Sequence, residues 1–475
     1  MAACLLLTGC SAPVLDDAPA TPASPTTPTT EEATPDQVRD LGIALSDPVE
    51  DSVYPEAGEP GVDALLYSLN LTWDPDDDLL TGSQTLIFRA TESAPSFQLD
   101  LGAPLEVSAA LLDGLPVPFT HRGKDLVVDG DVLADERSVL DVEYAGTPEP
   151  VEAPTTRTDM PGLGFTIDDD HQVWTMQEPF GAYTWYAVND QPADKALYEF
   201  TLNVPSPWTG IANGTQTSLI DDGTTTTTTY TLDEPAASYL VTLAFGDYVR
   251  TDDEGPGGVP ITYWVPRGSE NRLPNLQTTP AAMTFLEESL GPYPFETAGI
   301  LVVDSDSGME TQTMITLGDN RYSTAPATIV HELAHHWYGN QVTPSDWSDV
   351  WMNEGMAMYF QLMWQAEDEG IALDPYLDGF RAYEAEQREA AGPPADYDPA
   401  RFGEGNVYYS PALMWHALRE LLGDETFFEI VRGWPLVRDN TSTDREAFLA
   451  YVEEGSGQDL DAFFDAWLLG ETTPG

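Results

Sequence analysis

The chain has 475 residues, room for two or three domains, and carries 81 acidic against 18 basic side chains for a formal net charge of -63. That excess repels nucleic acid and anionic lipid headgroups, so polyanionic partners are excluded. It is spread along the chain rather than clustered, which suits a solvated surface adapted to high salt, although it would also steer cationic peptides inward.

Cys4 and Cys10, the two cysteines, both lie in the first ten residues, so the globular part can form no internal disulfide. Residues 1–9 read as a short apolar signal ending in Leu7-Thr8-Gly9 before Cys10. This ending resembles the lipobox of bacterial lipoproteins, where the cysteine becomes the lipidated first residue. The resemblance implies export, with the chain anchored at Cys10 to the outer face of a bacterial membrane or released outside the cell. The run lacks the Lys or Arg that normally opens such a signal, which leaves the natural start open. Residues 10–55, rich in Pro, Thr and acidic side chains, predict a disordered linker. No later run approaches ~18 continuous apolar residues, so membrane contact is expected only through the anchor.

Residues 56–252 predict an all-β domain: apolar and polar residues alternate in short runs, as at Tyr67, Leu69, Leu71 and Trp73, between Asp, Gly and Pro turns. Strands are expected at Thr85–Arg89, Ser96–Leu101, Leu197–Val204, the Thr-rich run Thr224–Leu232 and Ser238–Ala244. Helical spacing follows over residues 253–475, with helices predicted at Ala281–Leu290, Pro326–Trp337, Met352–Ala366, Ala412–Leu422 and Leu460–Leu468, and a strand at Ile300–Asp304. The fold class is therefore α+β.

The second domain holds the motif His331-Glu332-Leu333-Ala334-His335. Histidines four apart share one helix face, so both imidazoles reach one zinc ion, while Glu332 is offset to face the water to be activated. A third ligand is required, and Glu354 follows His335 after 18 intervening residues, among Trp351, Met356 and Phe360, which would bury it. These residues alone establish a hydrolase site with one Zn²⁺. His336, His416, His121 and His171 lack a ligand spacing and read as satisfied or surface histidines.

At this point the chain resembles the aminopeptidase N family of gluzincin metallopeptidases. The resemblance runs from about residue 62 to 469 and includes Glu178-Pro179, Gly181-Ala182, Trp185, Asp190, Pro192 and Lys195-Ala196, then Gly291-Pro292-Tyr293-Pro294-Phe295 and Leu333 to Gly339. It implies a saddle-like β domain followed by a thermolysin-like, mainly helical catalytic domain. It also implies that Gly308, Met309 and Glu310, in the loop that matches the family's Gly-x-Met-Glu-Asn segment, bind substrate, with Glu310 and Glu178 facing its free amino group. Tyr408 aligns with the family's oxyanion-binding tyrosine, although Ser410 and Pro411 replace the basic residue and glycine that normally follow; Tyr409 is the alternative. The expected activity is removal of N-terminal residues from peptides with a free amino end. An endopeptidase, an epoxide hydrolase and a silent peptide-binding lipoprotein remain open alternatives, as does the oligomeric state. The chain ends soon after Leu469, without the helical cap of longer members, which predicts a more open cleft.

Overall fold

Two hydrophobic cores, one in each half of the chain, meet along a seam, and the candidate site lies on that seam. The computed structural model describes residues 39–474, and those from Leu41 onward form one compact unit. The predicted signal and most of the predicted linker lie outside the described residues.

The first half is built on an eight-stranded sheet whose central strands are Lys195–Pro205, Val62–Asp74, Leu79–Ala90 and Arg137–Gly146. Along Val62–Asp74 the alternation read from the sequence decides the facing: Leu69, Leu71 and Trp73 are buried while Asn70 and Thr72 are exposed. The Thr-rich run forms the strand Thr225–Ala237, hydrogen-bonded to its neighbours on both sides, so its β-branched side chains serve the sheet. A second sheet of four strands ends Val173–Met176 immediately before Gln177 and Glu178.

Three expectations are corrected. The stretch 39–55 is not all linker: a 3₁₀ turn at Leu41–Ala44 buries Ala44 against Leu65, Leu66 and Leu197. The buried Asp51 accepts backbone N–H bonds from Val53 at 2.9 Å, Tyr54 at 2.7 Å and Trp347 at 2.7 Å. Its composition resembled a linker, but polar satisfaction through one carboxylate orders it. Second, Ser238–Ala244 is broken into a 3₁₀ turn at Ser238–Leu240 and a strand at Leu243–Gly246, because Ser238 Oγ donates to Asp190 and bends the chain. Third, the boundary expected at 252/253 falls inside the strand Tyr248–Glu254, which pairs with Pro260–Pro266 and so belongs to the catalytic sheet.

That catalytic sheet has five strands, and its edge strand Gly308–Met309 runs antiparallel to Ile315–Gly318. α1 (Pro326–His335) packs beside it, α2 (Trp351–Glu369) packs on α1, and α3 (Gly405–Leu422) packs on α2. α3 begins seven residues before the predicted Ala412, since the helix continues through Pro411, a residue that ordinarily ends one. Tyr408 therefore sits in the first turn of α3 rather than in a loop.

Candidate active site

α1 starts at Pro326, a residue that suits a first helical position because its missing N–H is not needed there. One turn separates His331 from His335, and both side chains are buried. Their Nε2 atoms lie 3.2 Å apart. Glu354, in the first turn of α2, brings Oε2 to 3.2 Å from His331 Nε2 and 3.5 Å from His335 Nε2. Bonds of ~2.0–2.1 Å to a tetrahedral zinc ion place its ligand atoms about 3.3–3.4 Å apart, so the three donors already stand at zinc-ligand separation. His335 Nδ1 rests 3.3 Å from Tyr338 O, which leaves Nε2 as its ligand atom.

The electrostatics agree. Burial raises the Glu354 carboxyl, but His335 and His331 overcome it and hold it well below the usual carboxylate range. Burial lowers His335, yet Glu310 and Glu354 lift it to about 10. A proton is thus drawn into the place where a divalent cation would compensate the same carboxylates. His331, Glu354 and His335 fit one Zn²⁺.

Around this triad the structure assembles the residues singled out from the sequence, apart from the alternative Tyr409. Glu178, Met309, Glu310, His331, Glu332, His335, Glu354 and Tyr408 line one cavity, together with Gly308. Burial first, then Glu310 and Glu354, push the Glu332 carboxyl well above its ordinary range. Gly308 leaves room for this carboxyl: a Cβ there would stand 2.6 Å from Glu332 Oε1 and displace it. Glu310 and Glu178 are buried, and each has one carboxylate oxygen, Oε1, without a hydrogen-bond partner in the protein. Burial, followed by the charge of Glu310, raises Glu178. The Tyr408 ring stacks on His331 with centroids 5.8 Å apart, whereas Tyr409 packs on Phe380 and Tyr383, outside the cavity that holds the triad. Ser410, in place of the family's basic residue, accepts from the buried Arg388 guanidinium.

Residues 275–467 match the peptidase family M1 domain. These residues carry a peptidase family M1 domain. It is 27% identical to aminopeptidase N of Streptomyces lividans over 441 residues, 86% of this chain and 50% of that protein. Aminopeptidase M1 of Arabidopsis thaliana is 25% identical over 324 residues, 62% of this chain and 36% of that protein. The chain thus spans about half the length, or less, of these relatives. Among solved structures, the M1 zinc metallopeptidase of Deinococcus radiodurans superposes with a TM-score of 0.78 at 26% identity, covering 90% of this chain and 99% of that one. A mutant of that metallopeptidase has been solved with the substrate Tyr-Ser-Ala bound.

His336 and His416, the other histidines of the matched region, hold structural contacts. His336 accepts or donates at 2.7 Å with the Tyr293 hydroxyl and is lowered to about 3 by burial, while His416 lies 3.5 Å from Asp374. Sequence reasoning missed Arg157 and Asp159, which reach the cleft from the loop after strand Arg137–Gly146. No motif marks them. Beyond the triad the cleft widens to a cavity of about 260 Å³ walled by Tyr322, Tyr383 and Tyr409.

Proposed function

We propose that this chain is a zinc aminopeptidase, releasing N-terminal residues from peptides with a free amino end. The observation that carries the reading is the pair of carboxylate oxygens without a hydrogen-bond partner, on Glu178 and Glu310, buried beside the metal triad. An ammonium group supplies the hydrogen-bond donors that such a pair lacks, and it fixes the distance from the chain end to the metal. Zinc held by His331, His335 and Glu354 supplies Lewis acidity toward the scissile carbonyl and the attacking water. Glu332 takes a proton from that water and delivers it to the leaving nitrogen. The Tyr408 hydroxyl donates to the oxygen that becomes negative.

The test compares a free aminoacyl amide with its N-acetylated form. Wild type should hydrolyse only the free form, and Glu332→Gln should keep one zinc per chain while losing about 10²- to 10⁴-fold in kcat. Equal rates on the acetylated substrate would refute the exopeptidase reading, and full activity in Glu332→Gln would refute the base.

We infer further that the chain is exported and lipid-anchored. Support comes from the apolar run closing in Leu7-Thr8-Gly9-Cys10 and from the acidic Pro/Thr-rich stretch after it. Among the described residues no helix is long and apolar enough to cross a membrane. Cells expressing the protein should incorporate labelled palmitate into it, and Cys10→Ser should abolish the label; a label that persists would exclude Cys10 as the site.

A further inference from the structure

The loop that follows strand Arg137–Gly146 leaves the β domain and docks on the turn that opens α3. Phe402 N–H donates to Pro154 O at 2.9 Å, Thr156 Oγ1 donates to Glu404, and Arg157 Nη1 donates to Gly403 O at 3.0 Å. Gly403 has φ of 66°, and a Cβ there would stand 3.2 Å from Arg157 Nη1, so the turn is shaped to admit the guanidinium. Asp159 grips the same group from the other side, with Nε donating to Oδ1 at 3.1 Å and Nη2 to Oδ2 at 2.6 Å. The remaining contact of Nη1 is the Tyr408 hydroxyl, at 3.2 Å.

We propose that Arg157 is the positioning residue for Tyr408, fixing where its phenolic proton points and strengthening the hydrogen bond that it gives to the oxyanion. The argument is one of donor and acceptor capacity. A guanidinium only donates, so at this contact the phenol oxygen must accept. Among the described residues Arg157 is the hydrogen-bond partner of that oxygen, which leaves the single phenolic proton free for the cleft. Stacking on His331 fixes the ring, and Arg157 fixes the remaining rotation of the O–H. A full positive charge at this distance also makes the phenol a better donor to developing negative charge.

Arg157 is poorly placed to bind a substrate carboxylate itself, because Asp159, Gly403 O and Tyr408 already occupy three edges of the guanidinium. It belongs to the β domain while Tyr408 belongs to the catalytic domain, so the oriented donor exists only where the loop is docked.

The proposal rests on the hydrolytic reading above for the reaction it serves, and a double-mutant cycle tests it. Tyr408→Phe should lower kcat on an aminoacyl amide about 10²- to 10³-fold, as loss of an oxyanion donor does. Arg157→Met should lower kcat about 10- to 100-fold with KM within about twofold, and Arg157→Lys should recover part of the loss. In the Tyr408→Phe background Arg157→Met should cost nothing more. The same cycle is read without turnover from the affinity of a phosphinic pseudodipeptide, which Arg157→Met should weaken only where Tyr408 is present. Independent losses in the double mutant, a raised KM with kcat kept, or equal loss of inhibitor affinity in both backgrounds would overturn it. Should Arg157→Met not fold, Asp159→Asn, which loosens the guanidinium without removing it, should show the same pattern at smaller size. A wild type without turnover would sink the functional reading, while the affinity cycle still decides the role of Arg157.

Discussion

Lys195 is one of two lysines in the chain, and it is fully inside the fold. Its Nζ donates to the carbonyl oxygens of Asn340 at 2.7 Å and Gln341 at 3.2 Å, tying the β domain to the loop behind α1. Burial pulls its pKa down to about 7, against a partial lift from Asp439 and Glu234. An unfolded lysine titrates near ~10.4, so between pH 7 and 10 the unfolded chain holds a proton there that the folded one has released. Stability contributed by this group therefore rises with pH across that window and is flat below it. Lys124 does not interfere, because Asp100 and Asp125 overcome its burial and move its titration above the window. Urea midpoints of the zinc-loaded protein should rise from pH 7 to 10 more steeply in wild type than in Lys195→Met; parallel slopes would show that Lys195 stays charged in the fold. At this scale the metal ligands were legible because a four-residue spacing is geometry written in sequence. Arg157 and Asp159 were not, since their role comes from a loop crossing a domain seam and has no local pattern.

Two helices carry Glu354 and Tyr408, and their crossing sets how far apart those side chains stand. α2 and α3 touch where Gly355 meets Pro411: a Cβ on Gly355 would lie 2.5 Å from Pro411 Cβ. The glycine after the metal ligand is thus a packing requirement, and the proline inside α3 is its counterpart. Periodicity placed α1 and α2 because apolar residues recur at helical spacing in the sequence, through Ile329, Val330, Leu333 and through Met352, Met356, Tyr359 and Phe360, even though the fold buries these stretches on every side. It placed the start of α3 too late, because Pro411 reads locally as a stop and only the contact with Gly355 explains its tolerance. The strap over 45–57 was hidden for a related reason. Its order comes from partners nearly 300 residues away, as when Ser52 Oγ donates to Asp346 at 2.8 Å, and from Tyr54 packing on Phe180 and Phe402. Composition cannot register such contacts.

For the molecule as a whole, the governing quantity is the net charge of -63. Many of the scarce basic groups are held in ion pairs: Arg89 with Asp63, Lys124 with Asp100, Arg272 with Asp319 and Arg388 with Glu384. They neutralise particular carboxylates in the fold and leave the rest of the acidic surface to repel itself. Screening acts on that repulsion more than on the buried pairs, since the Debye length falls from about 10 Å at 0.1 M salt to about 3 Å at 1 M. Raising NaCl from 0.1 to 1 M should therefore raise the Tm, while kcat/KM for a free aminoacyl amide should fall as the field that draws in its ammonium group is screened. The two effects separate by substrate: an uncharged, zinc-binding hydroxamate should keep its on-rate in salt while the Tm still climbs. A Tm that falls with salt would mean that surface ion pairs, rather than self-repulsion, dominate the stability of this acidic chain.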